Sequence, residues 1–160
     1  MPIRPATSAD IAAIMALERA SVTAGHWQRR QYEAVFEPSA PPRVALLEEE
    51  ESTLLGFLIA RPLAPEWELE NLVVAAWARR RGRGTRLLHE LFGVLRRQGG
   101  QALFLEVRES NLAARALYEK CWFVEVGRRP RYYQEPLENA VMYRLILDSR
   151  PPPSLPNSVP

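Results

Sequence analysis

The scarcest reactive residues set the first limits. Cysteine occurs once, at Cys121, so no disulfide can form within the chain and no thiolate metal cluster is expected. Histidine occurs twice, at His26 and His89, in no shared motif. Two such imidazoles make no metal site, and both are assigned structural roles. No stretch approaches the ~18 apolar residues of a membrane span. The opening MPIRPATSAD holds no apolar run of signal-peptide length. A lone cysteine also suits a reducing compartment. The expectation is a soluble, cytoplasmic protein with no membrane partner and no metal. A large excess of charge is missing too: 21 basic against 19 acidic side chains leave a formal net charge of +2. Any basic function must therefore come from local clustering.

What is present suits one domain. The 160 residues are 47% hydrophobic and 25% charged, enough to build a core. IRPAT reads as a first strand. TSAD offers N-caps for a helix carrying Ile11, Ile14, Met15 and Leu17 on one face. A second helix is predicted over His26 to Phe36, ended by Pro38. Val44 to Leu47 and Leu54 to Ala60 read as a hairpin, with Glu48 to Glu51 as its solvated bend. ELENLVV is the next strand. Its apolar run, Leu72 to Ala76, suggests a central strand covered on both faces. Thr85 to Arg97 reads as a helix with Leu87, Leu88, Leu91, Phe92 and Leu95 facing inward, and with Arg86, Glu90, Arg96 and Arg97 facing out. Gly99 and Gly100 stop it. ALFLEV is a strand. SNLAARALYEK is a short helix capped by Ser110 or Asn111, with Leu112 and Ala116 in its apolar stripe. WFVEVG and AVMYRLIL are strands expected to pair. There is no internal repeat. The order predicts one mixed α/β domain over residues 1–149, followed by a proline-rich, disordered tail over 150–160.

The most unusual stretch is ARRRGRGTRLL, Ala78 to Leu88, where five arginines surround Gly82 and Gly84. It lies between an apolar strand and an amphipathic helix. N–H groups at a helix start have no intrahelical partners, and the helix dipole adds positive charge there. Glycines let the chain approach a ligand without Cβ collisions. Together these features make a cradle for a pyrophosphate. The spacing R-x-x-G-x-G matches neither the nucleotide-hydrolysing P-loop nor the G-x-G-x-x-G dinucleotide fingerprint. Two other readings stand beside it: a solvated basic turn, and a nucleic-acid patch. Nucleic acid would need a wider basic footprint than these residues offer, so no nucleic-acid partner is expected.

The second half carries a resemblance. LEVRESNLAARALYEKCWF, Leu105 to Phe123, closely resembles the L-E-V-R-x-S-N-x-x-A-x-x-L-Y-x-x-x-G-F pattern of ribosomal-protein-alanine N-acetyltransferases of the RimI type. These belong to the GNAT superfamily of acetyl-CoA-dependent N-acetyltransferases. ELENLVV, Glu68 to Val74, is similar to their E-L-x-N-I-A-V strand. RRRGRG fits their Q/R-x-x-G-x-G/A loop, and RPRYYQEPLENAVMYRL looks like their closing R-x-x-Y-Y…D-A strand. The resemblance covers roughly Ile3 to Leu147 and is specific from Glu68 onward.

It implies a single GNAT-type α/β domain: a mixed, mostly antiparallel central sheet with helices on both faces and acetyl-CoA in a cleft between splayed strands. The backbone of Leu72, Val73 and Val74 would run along the pantetheine, and one of its N–H groups would face the oxyanion of the tetrahedral intermediate. Backbone N–H groups of Arg79, Arg80, Arg81, Gly82, Arg83, Gly84 and Thr85 would hold the pyrophosphate. The side chains of Arg80, Arg81, Arg83 and Arg86 would be extra charge that meets the 3′-phosphate or water. Asn111 would bond the pantetheine arm, and Lys120 would sit near the adenosine end. Glu106 matches the family's general base and Tyr118 its general acid, with Glu68 the second choice of base. The bland alternatives are an Arg108 partner for Glu106, a packed core-edge role for Tyr118 and a helix cap for Asn111.

The implied activity is acetyl transfer from acetyl-CoA to a primary amine, first of all a protein N-terminal α-amine. The alternatives are a small amine, a lysine, or an acyl-CoA-binding module without catalysis. A monomer or homodimer is expected, with acceptor contacts from the first two helices and Tyr132 to Leu137. Two positions depart from the pattern. Trp122 takes the glycine slot after the LYEK helix, which puts the local turn in doubt. Asn139 stands where Asp is usual, which weakens the case for the strict substrate class.

Overall fold

In the computed structural model, residues 2–21, 25–38 and 42–147 are described. The proline-rich tail falls outside them. The strands are β1 (Ile3–Pro5), β2 (Val44–Glu50), β3 (Thr53–Leu63), β4 (Glu66–Val74), β5 (Ala102–Arg108), β6 (Val124–Tyr133) and β7 (Glu138–Ile146). The helices are α1 (Ile11–Ala20), α2 (Arg29–Val35), α3 (Arg83–Arg97) and α4 (Leu112–Lys120). The strands form one sheet in the order β1-β2-β3-β4-β5-β7-β6. Every neighbouring pair is antiparallel except β4 and β5, which are parallel. The expected mixed, mostly antiparallel sheet is therefore present.

Helices cover both faces. Leu87, Leu88, Leu91, Phe92 and Leu95 of α3 are all buried with Leu58, Leu103, Leu105 and Tyr143, joined by Tyr118 of α4. Burying an aliphatic or aromatic side chain contributes about 1.5–3 kcal/mol, so the α3 stripe alone secures that helix. Close approach requires Gly56 on β3: a Cβ there would lie 3.0 Å from the Val73 carbonyl oxygen and 3.2 Å from Leu87 Cδ1. Gly99, at φ +74, ends α3, and the Gly100 N–H returns to the Leu95 carbonyl at 2.9 Å. On the other face Ile11, Ile14 and Met15 of α1 and Tyr32 and Val35 of α2 pack on Leu47, Phe57, Ile59 and Val73.

Several expectations need correction. The second helix is shorter than His26–Phe36, because it begins after Gln28. The acidic run is not a solvated bend. β2 continues through Glu50, and the turn is only Glu51-Ser52, both at positive φ, the two-residue geometry that matches strand twist. Glu48 is 0% exposed, because α3 lies over it and supplies Arg83 and Arg86. The apolar run Leu72–Ala76 leaves the sheet after Val74 and turns through a short 3-10 segment, Ala76–Ala78. In α4 the predicted stripe is misplaced. Leu112 is 69% exposed and Ala116 is exposed, while Ala114, Leu117 and Tyr118 meet the core.

Candidate active site

Strands β4 and β5 pair at Glu66–Ala102, Trp67–Leu103 and Glu68–Phe104, and the ladder ends there. Beyond it, Leu72, Val73 and Val74 pair with β3 alone, opposite Leu58, Phe57 and Gly56. Across the gap, Leu105 to Arg108 pair with β7 alone. Two parallel strands that part in this way leave a cleft at their C-terminal ends, where open α/β sheets bind ligands.

The loop after β4 leads into α3 with two left-handed residues, Arg80 at φ +62 and Gly82 at φ +73. Gly82 is the N-cap and supplies no side chain, and the first intrahelical bond is Arg86 N–H to the Gly82 carbonyl at 3.0 Å. The N–H groups of Arg83, Gly84 and Thr85 are thus left for an external acceptor. No acidic residue lies in that first turn. A Cβ on Gly84 would stand 2.8 Å from Leu117 Cδ2, so this glycine lets α3 approach α4. Cys121 at the end of α4 is hydrogen-bonded to the Thr85 side chain, and burial is the main cause of its raised thiol pKa. Uncapped donors, an open left-handed turn and the splayed β4 edge fit the pyrophosphate and pantetheine of acetyl-CoA.

The five arginines divide sharply. Arg79 donates from Nε to the Val74 carbonyl (3.1 Å) and from Nη2 to Ser21 Oγ (3.2 Å), tying the loop to the ends of β4 and α1. Arg80 and Arg81 are exposed. Arg83 and Arg86 donate to Glu48 Oε1 at 2.7 and 2.6 Å. The Arg83 and Arg86 side chains are thus both drawn to one buried carboxylate, while the Arg86 side chain stays 43% exposed.

Glu106 alternates with the buried Leu105 and Val107 and points to the opposite face. Its carboxylate lies 3.0 Å from Arg129 Nε on β6. Its hydrogen bond with Tyr132 is the main cause of that phenol's raised pKa. The proposed Arg108 partnership does not form. Arg108 instead donates to Glu138, Pro136 and Gln134, and its guanidinium stacks 4.5 Å from the Tyr133 ring centre. Glu68 is taken up by Arg61 at 2.7 Å.

Tyr118 is 7% exposed, packed against the rings of Phe123 (5.5 Å) and Tyr143 (6.1 Å). Burial pushes its phenol far above the ordinary range, so it keeps its proton. Tyr133 is electrostatically coupled to both Glu106 and Tyr118, and burial pushes it up to about 12. Arg129 and Tyr133 were not singled out from sequence. The R-x-x-Y-Y run that contains both was the available signal.

Asn111 caps α4, its Oδ1 accepting the Ala114 N–H at 3.2 Å. Lys120 is exposed at the far end of that helix. On the α1 side, buried Glu18 accepts from Asn71 Nδ2 at 3.0 Å, and the same nitrogen donates to Tyr32 Oη at 3.1 Å. Burial raises the Glu18 pKa. This knot locks α1 and α2 to β4 beside Leu72. Among the described residues no group of three His, Cys, Asp or Glu side chains is placed to hold a metal ion, and no helix is long and apolar enough to cross a membrane.

Known proteins share this arrangement. Residues 11–123 match the model of the acetyltransferase (GNAT) family. The ribosomal protein bS18-alanine N-acetyltransferase of Haemophilus influenzae is 42% identical over 96 residues, covering 58% of this chain and 65% of that protein. Its counterpart in Haemophilus ducreyi is 36% identical over 101 residues, covering 61% of this chain and 70% of that protein. The crystal structure of the Escherichia coli ribosomal-protein-S18-alanine N-acetyltransferase superposes with a TM-score of 0.81 at 27% identity, covering 94% of this chain and 96% of that one. A chain with these matches and this splayed pair of strands belongs to the acetyltransferase (GNAT) family and resembles its ribosomal-protein-alanine N-acetyltransferases.

Proposed function

We propose that this protein transfers the acetyl group of acetyl-CoA to a protein N-terminal α-amine. The carrying observation is the uncapped start of α3 beside the parted β4 and β5 strands, with Glu106 on the opposite strand. The N–H groups of residues 80–85 hold the pyrophosphate, the Arg79 N–H being spent on the Ala76 carbonyl at 3.4 Å, and the Leu72–Val74 edge pairs with the pantetheine. Asn111, whose Oδ1 is spent on its cap, offers Nδ2 to that arm, and exposed Lys120 lies toward the adenosine. Acetyl-CoA supplies the thioester carbonyl that the amine attacks.

An attacking amine must be neutral. An α-amino group has a pKa near ~8 against ~10.4 for lysine, so a carboxylate base suffices more readily for a chain terminus. Glu106 receives that proton, directly or through water. The incoming ammonium competes with Arg129 for the carboxylate. Tyr118, held protonated by burial, donates to the departing thiolate. A backbone N–H of Leu72–Val74 stabilises the oxyanion. The similarity to bS18-alanine acetyltransferases favours a ribosomal protein N-terminus as acceptor.

The test is acetylation of a peptide array, with the modified atom assigned by mass spectrometry. Label on α-amines is expected. Label confined to lysine or to small amines overturns the acceptor, and binding of acetyl-CoA with no transfer would mark a non-catalytic module. Glu106→Gln and Tyr118→Phe should each lower kcat about a hundredfold, in the range of general acid–base contributions. Wild-type rates in both variants would sink the mechanism.

A further inference from the structure

The buried carboxylate beneath α3 has no role in the chemistry above, and its surroundings ask for one. Glu48 accepts from Arg83 Nη1 at 2.7 Å and Arg86 Nη1 at 2.6 Å, both on Oε1. Its second oxygen, Oε2, is buried with no partner, as is Arg83 Nε. A buried ion pair of this kind stabilises a fold no better than hydrocarbon of similar volume. Its neighbours on that face of β2, Leu46 and Val44, are core residues. Fold stability alone therefore does not call for a glutamate here.

What Glu48 does hold is the first turn of α3. Arg83 and Arg86 stand three residues apart, so they share one side of the helix. Both reach the same oxygen. Two anchors on one face set the rotation and height of that turn, whose N–H groups at 83, 84 and 85 have no intrahelical acceptor. Gly56, directly opposite Glu48 in the sheet, brings α3 down to contact distance. We infer that Glu48 is a positioning residue for the pyrophosphate cradle: it aims the first turn of α3 through the side chains of Arg83 and Arg86. This rests on the acetyl-CoA reading above.

The sign of one substitution separates positioning from charge. Glu48→Gln keeps the volume and removes a negative charge from beneath an anion site. If charge alone matters, acetyl-CoA binds more tightly. If Glu48 positions the turn, KM and Kd for acetyl-CoA rise about tenfold, while kcat and the acceptor KM stay within about twofold. Arg86→Gln leaves the Arg83 contact and should cost about threefold in the same constants, which keeps the test open if Glu48→Gln fails to fold. Glu48→Asp should recover part of the loss. Unchanged or tighter acetyl-CoA binding in a folded Glu48→Gln, or in Arg86→Gln should Glu48→Gln not fold, overturns the inference and leaves the acetyl-CoA reading standing. Calorimetry that finds no binding of acetyl-CoA to the wild-type chain overturns both.

Discussion

The helices that follow the two parted strands begin in opposite ways. α3 starts at Gly82, which has no side chain and a left-handed backbone, and three N–H groups are left over. α4 starts at Asn111, whose side chain accepts the Ala114 N–H, while the preceding Ser110 N–H donates to Glu138. One start is open and the other closed. On the proposed function the open start receives an anion, while the closed one holds a wall that carries Tyr118 against the core. The open start also needs anchoring from below, because nothing caps it. Arg79 ties its loop to β4 and α1, and Glu48 ties its first turn to β2.

The largest way to break this contrast is Gly84→Val. Its branches would drive into Leu117, forcing α3 off α4. Overpacking costs about 1–3 kcal/mol, and displaced cradle donors should weaken acetyl-CoA binding on the order of tenfold or more. Calorimetry reads the affinity and thermal melting the stability. Adding Leu117→Ala, which opens the space, should restore part of both. Binding unchanged in Gly84→Val would return the stretch to a solvated turn.

A medium effect separates the observed cap of Asn111 from its proposed bond to the pantetheine. Asn111→Ala loses cap and donor, so it should cost about 1 kcal/mol of stability and lower the melting temperature by about 2–4 °C. It should also raise the acetyl-CoA KM. Asn111→Asp keeps the capping oxygen and removes only the amide donor, so its melting temperature stays near wild type while the acetyl-CoA KM rises about threefold. A wild-type KM in the Asp variant would leave Asn111 as a cap and nothing more.

The smallest effect reports how tightly the two helices close. Burial raises the Cys121 thiol pKa, so the reactive thiolate is scarcer than in an exposed cysteine at the same pH. Titration with a thiol reagent at pH 8 should be slow in the folded protein and fast in denaturant. Gly84→Val should accelerate it. Fast reaction of the native wild type would contradict the packed α3–α4 seam.

Much of the architecture was legible because it is local. The apolar positions of α3 repeat at helical spacing, and all five residues predicted to face inward are buried. The strand and helix order follows from the same periodicities. Trp122 stands in the glycine slot, and the turn there is kept. Trp122 adopts φ +73 and is 52% exposed, and the Phe123 N–H returns to the Tyr118 carbonyl at 3.0 Å. The left-handed residue costs roughly 1 kcal/mol. Asn139, the other departure, is explained only by its neighbours. Its Oδ1 accepts the Arg131 N–H and its Nδ2 donates to Glu109, a bond that an ionised Asp cannot make.

The remainder was illegible for a different reason. Glu48 sits in a run of four glutamates that looks solvated along the chain, and Arg83 and Arg86 sit in a run that looks like a basic patch. Thirty-five and thirty-eight residues separate these partners. Periodicity carries no information across such distances. The same holds for Arg129 meeting Glu106, which depends on β7 lying between β5 and β6.

By itself, then, the chain's sequence determined the order of helices and strands and the apolar face of α3, since each follows from neighbours within a turn or a pleat. Only the tertiary structure decided which charges are spent inside and which remain for a ligand. Burying a charge requires a partner within hydrogen-bond reach, and sheet order rather than sequence distance brings that partner there.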